Sequence, residues 1–154
     1  PMSGIASRHA RAFAGALLGV GLLLAFAIAG QELAKGADRS GSYWNYFGYP
    51  LLAATVLLLI LLSRIGRRTA FAPLAAASIG GYFLPLAPIV WLGHDPYGLV
   101  LIGAGSLAAI VSLSIRRQGR SKVALWELLM SLFWGATGYL LAVLVWLAFF
   151  YDWP

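Results

Sequence analysis

Five apolar stretches, each long enough to cross a bilayer, occupy almost all of this 154-residue chain. They are residues 12–29, 47–62, 71–92, 97–115 and 125–150. About 20 apolar residues are needed to carry a helix across a hydrocarbon core ~30 Å thick. Only short polar joints lie between the stretches, too small to form a soluble domain. In lipid each backbone N–H and C=O must be satisfied within the chain, so the spanning elements are helices. The sequence therefore predicts an all-α integral membrane protein: a single transmembrane domain, residues 1–154, of five transmembrane helices.

Charge orders these helices. Hydrophobic residues make up 61% of the chain and charged residues 10%, with a net charge of +6; soluble domains carry about 25% charged residues. Arg8 and Arg11 precede the first stretch, Arg64, Arg67 and Arg68 follow the second, and Arg116, Arg117, Arg120 and Lys122 follow the fourth. With five crossings these all fall on one side. Only Lys35 and Arg39 fall on the other, beside Glu32 and Asp38. Cytoplasmic joints are enriched in Lys and Arg, which places the N-terminus in the cytoplasm and the C-terminus outside. The basic surplus is thus read as topology rather than a nucleic-acid footprint, with acidic membrane lipid as a second reading. Ala27-Ile28-Ala29-Gly30 resembles a signal-peptide cleavage site, but the first stretch is read as a retained span. Pro1 ahead of Met2 reads as a cloning remnant.

Small residues recur where helices would pack. Gly15 and Gly19 form a small-xxx-small pair, and Gly21, Ala25 and Ala29 continue a stripe at spacing four. Such stripes allow close helix approach where lipid supplies no hydrophobic drive; packing within the chain and contact with another subunit are both open. Ser131, Gly135 and Gly138 offer a similar seat in the last stretch. Residues 31–43 read as the longest loop. Tyr43, Trp44, Tyr46, Phe47 and Tyr49, then Trp91, Tyr97, Tyr151 and Trp153, form an aromatic belt at the outer interface. The third stretch carries Pro73, Gly80-Gly81, Pro85 and Pro88, so a kink or break is expected near residues 82–87. Gly93-His94-Asp95-Pro96 reads as a tight turn.

Chemistry is sparse. The chain has no cysteine, which excludes thiol redox work and disulfides. None of Glu32, Asp38, Asp95, Glu127 and Asp152 sits mid-membrane. Glu127 comes closest, and is read as an interfacial partner of a cytoplasmic cation near Lys122 and the arginine cluster. His9 and His94 fall on opposite sides, so no metal site of three or four ligands forms. No catalytic set, cofactor site or phosphate-binding glycine loop is expected, and the chain is read as a non-enzyme.

Tyr46-Phe47-Gly48-Tyr49-Pro50, leading into the leucine-rich residues 51–62 and Arg64-Ile65-Gly66-Arg67-Arg68, resembles the small membrane subunit of the tripartite tricarboxylate transporters. The likeness extends along the chain in length and order, to a close on Asp152-Trp153-Pro154. It departs from the family's Gly-Pro-Gly-aromatic-Phe-Pro signature at Trp44 and Asn45. The resemblance implies an accessory subunit in a bacterial inner membrane. Its partners would be a large multi-span transport subunit and a periplasmic substrate-binding protein, taking up carboxylates by symport. Gly15, Gly19, Tyr46, Gly48, Pro50, Pro85 and Pro88 are the candidate subunit-packing residues. A small homo-oligomeric transporter or flippase, and a scaffold subunit of a membrane enzyme complex, are the alternatives.

Overall fold

The structure is a computed structural model that describes residues 2–37, 49–65, 69–93, 96–117 and 123–149. The described residues form six helices: α1 (Met2–Ala37), α2 (Tyr49–Ile65), α3 (Ala72–Phe83), α4 (Leu86–Gly93), α5 (Pro96–Arg117) and α6 (Leu125–Phe149). Four helical stretches are long and apolar enough to cross a membrane: Gly4–Gly30, Ala72–Gly93, Gly98–Arg117 and Leu125–Phe149. Helix α2 is equally apolar but has 17 residues.

One boundary differs from the sequence reading. Helix α1 is 36 residues, about 54 Å at 1.5 Å per residue, well beyond the expected 12–29. The loop expected at 31–43 from its mixed charge with Gly36 and Gly41 is helical through Ala37; nothing in Gln31-Glu32-Leu33-Ala34-Lys35 breaks a helix. The expected third stretch is two helices. Between them Leu84 and Pro85 form a turn, closed by short-range bonds from Leu84 N–H to Gly81 O (3.2 Å) and from Ala87 N–H to Leu84 O (3.1 Å). Pro85 has no N–H to continue the ladder.

Helix α3 is the hub. Helices α1, α5 and α6 pack along it and α2 touches it more lightly. Every residue from Ala72 to Phe83 is buried except Gly80, which is partly so. Its N-terminus is set by Pro73 in the first turn, where a missing N–H costs nothing, and by Ala75 N–H donating to Phe71 O at 2.8 Å. Alanine and glycine give it a thin outline, so neighbouring backbones come close. Gly15 of α1 lies on Leu74, and Gly19 on Ala75 and Ser78. From α6, Gly135 lies on the Ser78 backbone, while Gly81 of α3 lies on the Leu132 backbone. On the α5 side, Gly80 faces Gly105 O, and Gly105 faces the Phe83 side chain.

These contacts also fix direction. Arg11 meets Glu127, Ser112 meets Pro73 and Arg116 meets Val123. The starts of α1, α3 and α6 therefore share one end of the bundle with the end of α5. Gly30 packs on Pro50, bringing the far part of α1 to the start of α2, so α2 also finishes at that first, basic end. Among the described residues, α1 has none buried after Leu23, α6 none after Gly135, and α4 none.

A methyl on Gly81 or Gly135 would overlap backbone atoms of Leu132 or Ser78, which have no rotamer to give. Gly81→Ala and Gly135→Ala should each lose about 1–3 kcal/mol, the usual cost of overpacking. Gly21 has nothing within 4 Å of such a methyl, so Gly21→Ala should be neutral or stabilising by up to about 1 kcal/mol. Thermal unfolding of the three variants in one detergent checks the contrast; equal losses at Gly21 and Gly81 would contradict the packing.

Candidate functional site

The polar chemistry of the described residues gathers at the basic end, around Glu127 on the first turn of α6. Its carboxylate is fully buried. Three donors hold it. Arg11 Nε reaches Oε1 at 3.1 Å, and Arg11 Nη2 reaches the same oxygen. The backbone N–H of Ala124 reaches Oε2 at 3.1 Å. Glu127 thus reaches back to the residue before the helix, as the acidic member of a capping box does. Ala124 cannot return the favour with a side-chain acceptor. A carboxylate in the first turn also faces the positive end of the α6 dipole.

Around this pair, α1, α3, α5 and α6 are tied by hydroxyl and guanidinium groups. Ser131, one turn beyond Glu127, donates to Ala12 O at 3.3 Å. Ser112 donates across to Pro73 O at 2.9 Å; Arg116 Nε donates to Val123 O at 3.1 Å. Leu74, Ala77, Val123 and Leu128 close an apolar cluster beneath. Phe13 and Trp134 meet edge to face at 5.1 Å, and the buried Trp134 indole N–H has no acceptor among the described residues. Further along, Tyr82 lies edge-on to Tyr139 at 5.3 Å. Among the described residues no three of His, Asp and Glu come together as a metal-binding group.

Glu127 is paired with a cation from the basic end, and the partner is Arg11, 116 residues away in sequence. Arg116 of the cluster near Lys122 is turned to a backbone carbonyl instead. The only sequence signal for depth was that Glu127 stands three residues after Ala124, in the reach-back position of a helix start. The identity of Arg11 as partner had none.

The packing candidates are scattered. Gly15 and Gly19 pack on α3 within the chain. Pro50 is buried against Gly30 at the opposite end. Pro85 is half-buried in the turn between α3 and α4, and Pro88 is exposed. Tyr46 and Gly48 lie outside the described residues, as do most of the aromatic belt and His94-Asp95. Of the second small stripe, Gly21, Ala25 and Ala29 are all exposed, while Gly138 of α6 lies 3.4 Å from Val20 by its would-be methyl.

No family model, curated protein or solved structure matches this chain.

Breaking a buried ion pair from one side strands the remaining charge and costs about 3–5 kcal/mol. Arg11 retains 38% exposure, so the effect should sit at or below the low end, about 2–3 kcal/mol. Arg11→Gln should destabilise more than Glu127→Gln, because only the first leaves a fully buried carboxylate without its cation. The double variant should recover part of the loss. Unfolding midpoints of the three variants test this order; equal single losses with no recovery would contradict it.

Proposed function

We propose that this chain is a small accessory subunit of a binding-protein-dependent secondary transporter for carboxylates, packing against and steadying a large multi-span transport subunit in a bacterial inner membrane. One observation supports the non-conducting part of this reading. The described interior is closed by contacts at backbone level, with its buried carboxylate at one end and fully engaged. Among the described residues, no Asp, Glu, Lys, Arg or His is buried between that pair and the far end of the helices. Moving an ion or a carboxylate through lipid calls for such groups or for unsatisfied backbone along the path.

The partner assignment comes from the sequence resemblance around residues 46–68. Large side faces agree with a subunit role: Leu140, Leu141, Leu144, Val145 and Phe149 of α6, and Trp91 and Leu92 of α4, are exposed. In this reading the cation-rich end is cytoplasmic, following the bias of positive charge in cytoplasmic joints. The turn at Leu84 and Pro85 is then a kink within the third of five spans.

A second reading has one feature in its favour. The same turn interrupts the helix within an apolar stretch, as in transporters whose broken helices bind substrate, so the chain would act alone as a small oligomeric carrier. Two measurements separate the readings. As an accessory subunit, the tagged chain should retain a much larger multi-span protein in mild detergent. Its deletion should abolish uptake of the carboxylate served by that partner, and the chain alone in liposomes should transport nothing. Carboxylate uptake by liposomes holding only this chain would overturn the accessory role.

A further inference from the structure

The basic end carries nine cations in the sequence (Arg8, Arg11, Arg64, Arg67, Arg68, Arg116, Arg117, Arg120 and Lys122) and, in the five-crossing order, a single carboxylate, Glu127. That carboxylate is fully buried and consumed by Arg11 and the Ala124 N–H. Among the described residues it is withdrawn from every other cation. Arg8 on α1, Arg64 in the last turn of α2 and Arg117 at the end of α5 are exposed, with no hydrogen bond or ion pair to any described residue. They stand at the start of α1 and at the ends of α2 and α5, which share one end of the bundle, at the level where spans leave the hydrocarbon. Trp126, 55% exposed on the first turn of α6, belongs to that level too, since indole rings favour the headgroup region.

We propose that this end is a binding surface for anionic phospholipid headgroups, with Arg8, Arg64 and Arg117 as the phosphate-contacting side chains. The proposal rests on the membrane-spanning reading but not on the transport role. Basic residues beside the ends of spans are attracted to acidic leaflets, and each near the surface strengthens binding by about fivefold. Burial of Glu127 makes the attraction available: an exposed carboxylate there would screen it. An acidic segment of a partner protein would also fit the charge. Lipid is favoured because the arginines sit on span-ending turns and share their level with an exposed indole.

The test uses the full chain, without partners, in nanodiscs of phosphatidylcholine and phosphatidylglycerol at a ratio of three to one. Lipids retained on release are counted by native mass spectrometry. The wild type should retain phosphatidylglycerol in preference to phosphatidylcholine. The triple variant R8Q/R64Q/R117Q should lose that preference by about fivefold for each arginine, whereas R8K/R64K/R117K, which keeps the charge, should hold it. Soluble inorganic phosphate at millimolar concentration should not displace the lipid. Equal retention of the two lipids by the wild type would overturn the proposal and leave the surface to an acidic protein partner. Unchanged preference in the glutamine variant, loss in the lysine variant or displacement by free phosphate would overturn it equally. The readout involves no transport subunit, so failure of the accessory role would leave it standing.

Discussion

The close approach of backbones at α3 is the constraint on which the rest of the bundle depends. A helix surrounded by α1, α2, α5 and α6 needs small residues wherever backbones meet, and the segment Ala72–Phe83 supplies alanine, glycine and serine at many of those contacts. Lipid tails are as apolar as leucine, so burial of apolar area gives helices little reason to associate in a bilayer. Dispersion over closely matched surfaces does so instead. Glycines on both sides of the interfaces (Gly15 and Gly19 facing α3, Gly81 facing α6, Gly135 facing back) let that matching reach the main chain. Where the small residues give way to Leu84 and Pro85 the hub ends, and among the described residues α1 and α6 bury nothing beyond Leu23 and Gly135.

Polar groups follow the same economy. Each buried serine returns its hydroxyl to a backbone carbonyl: Ser78 to Ala75 within α3, Ser112 to Pro73 across to α5's neighbour, and Ser131 to Ala12 between α6 and α1. Thr55 does the same with Leu51 on α2. The one buried charge among the described residues is placed where it is cheapest, on the first turn of α6 with a helix dipole, a backbone donor and a guanidinium around it. That placement joins the starts of α1 and α6, which are far apart in sequence, and leaves Arg8, Arg64 and Arg117 exposed at that end.

Much of this was legible in the sequence because hydropathy and helical spacing are local signals. The apolar stretches coincide with helical stretches, and Gly135 and Ser131 do seat neighbouring helices. Spacing alone, however, does not say which face of a helix is inward. Gly15 and Gly19 meet α3, but Gly21, Ala25 and Ala29, a stripe of the same kind on the same helix, are open. The extension of α1 through Ala37 was hidden because polar residues with good helix propensity were read as a loop. The pairing of Arg11 with Glu127 was hidden for a different reason: it joins the first helix to the last, and no one-dimensional pattern records which of nine cations reaches one carboxylate.

The central claim is that α3 is a helix shielded from lipid on every side by its own chain. Footprinting of the native protein in liposomes with a membrane-partitioning carbene reagent, read residue by residue by mass spectrometry, tests this without a substitution. We expect heavy labelling at Leu140, Leu141 and Leu144 on the open face of α6, and none from Ala72 to Phe83. Labelling of α3 that recurs every three to four residues would show a lipid-facing side and contradict the arrangement.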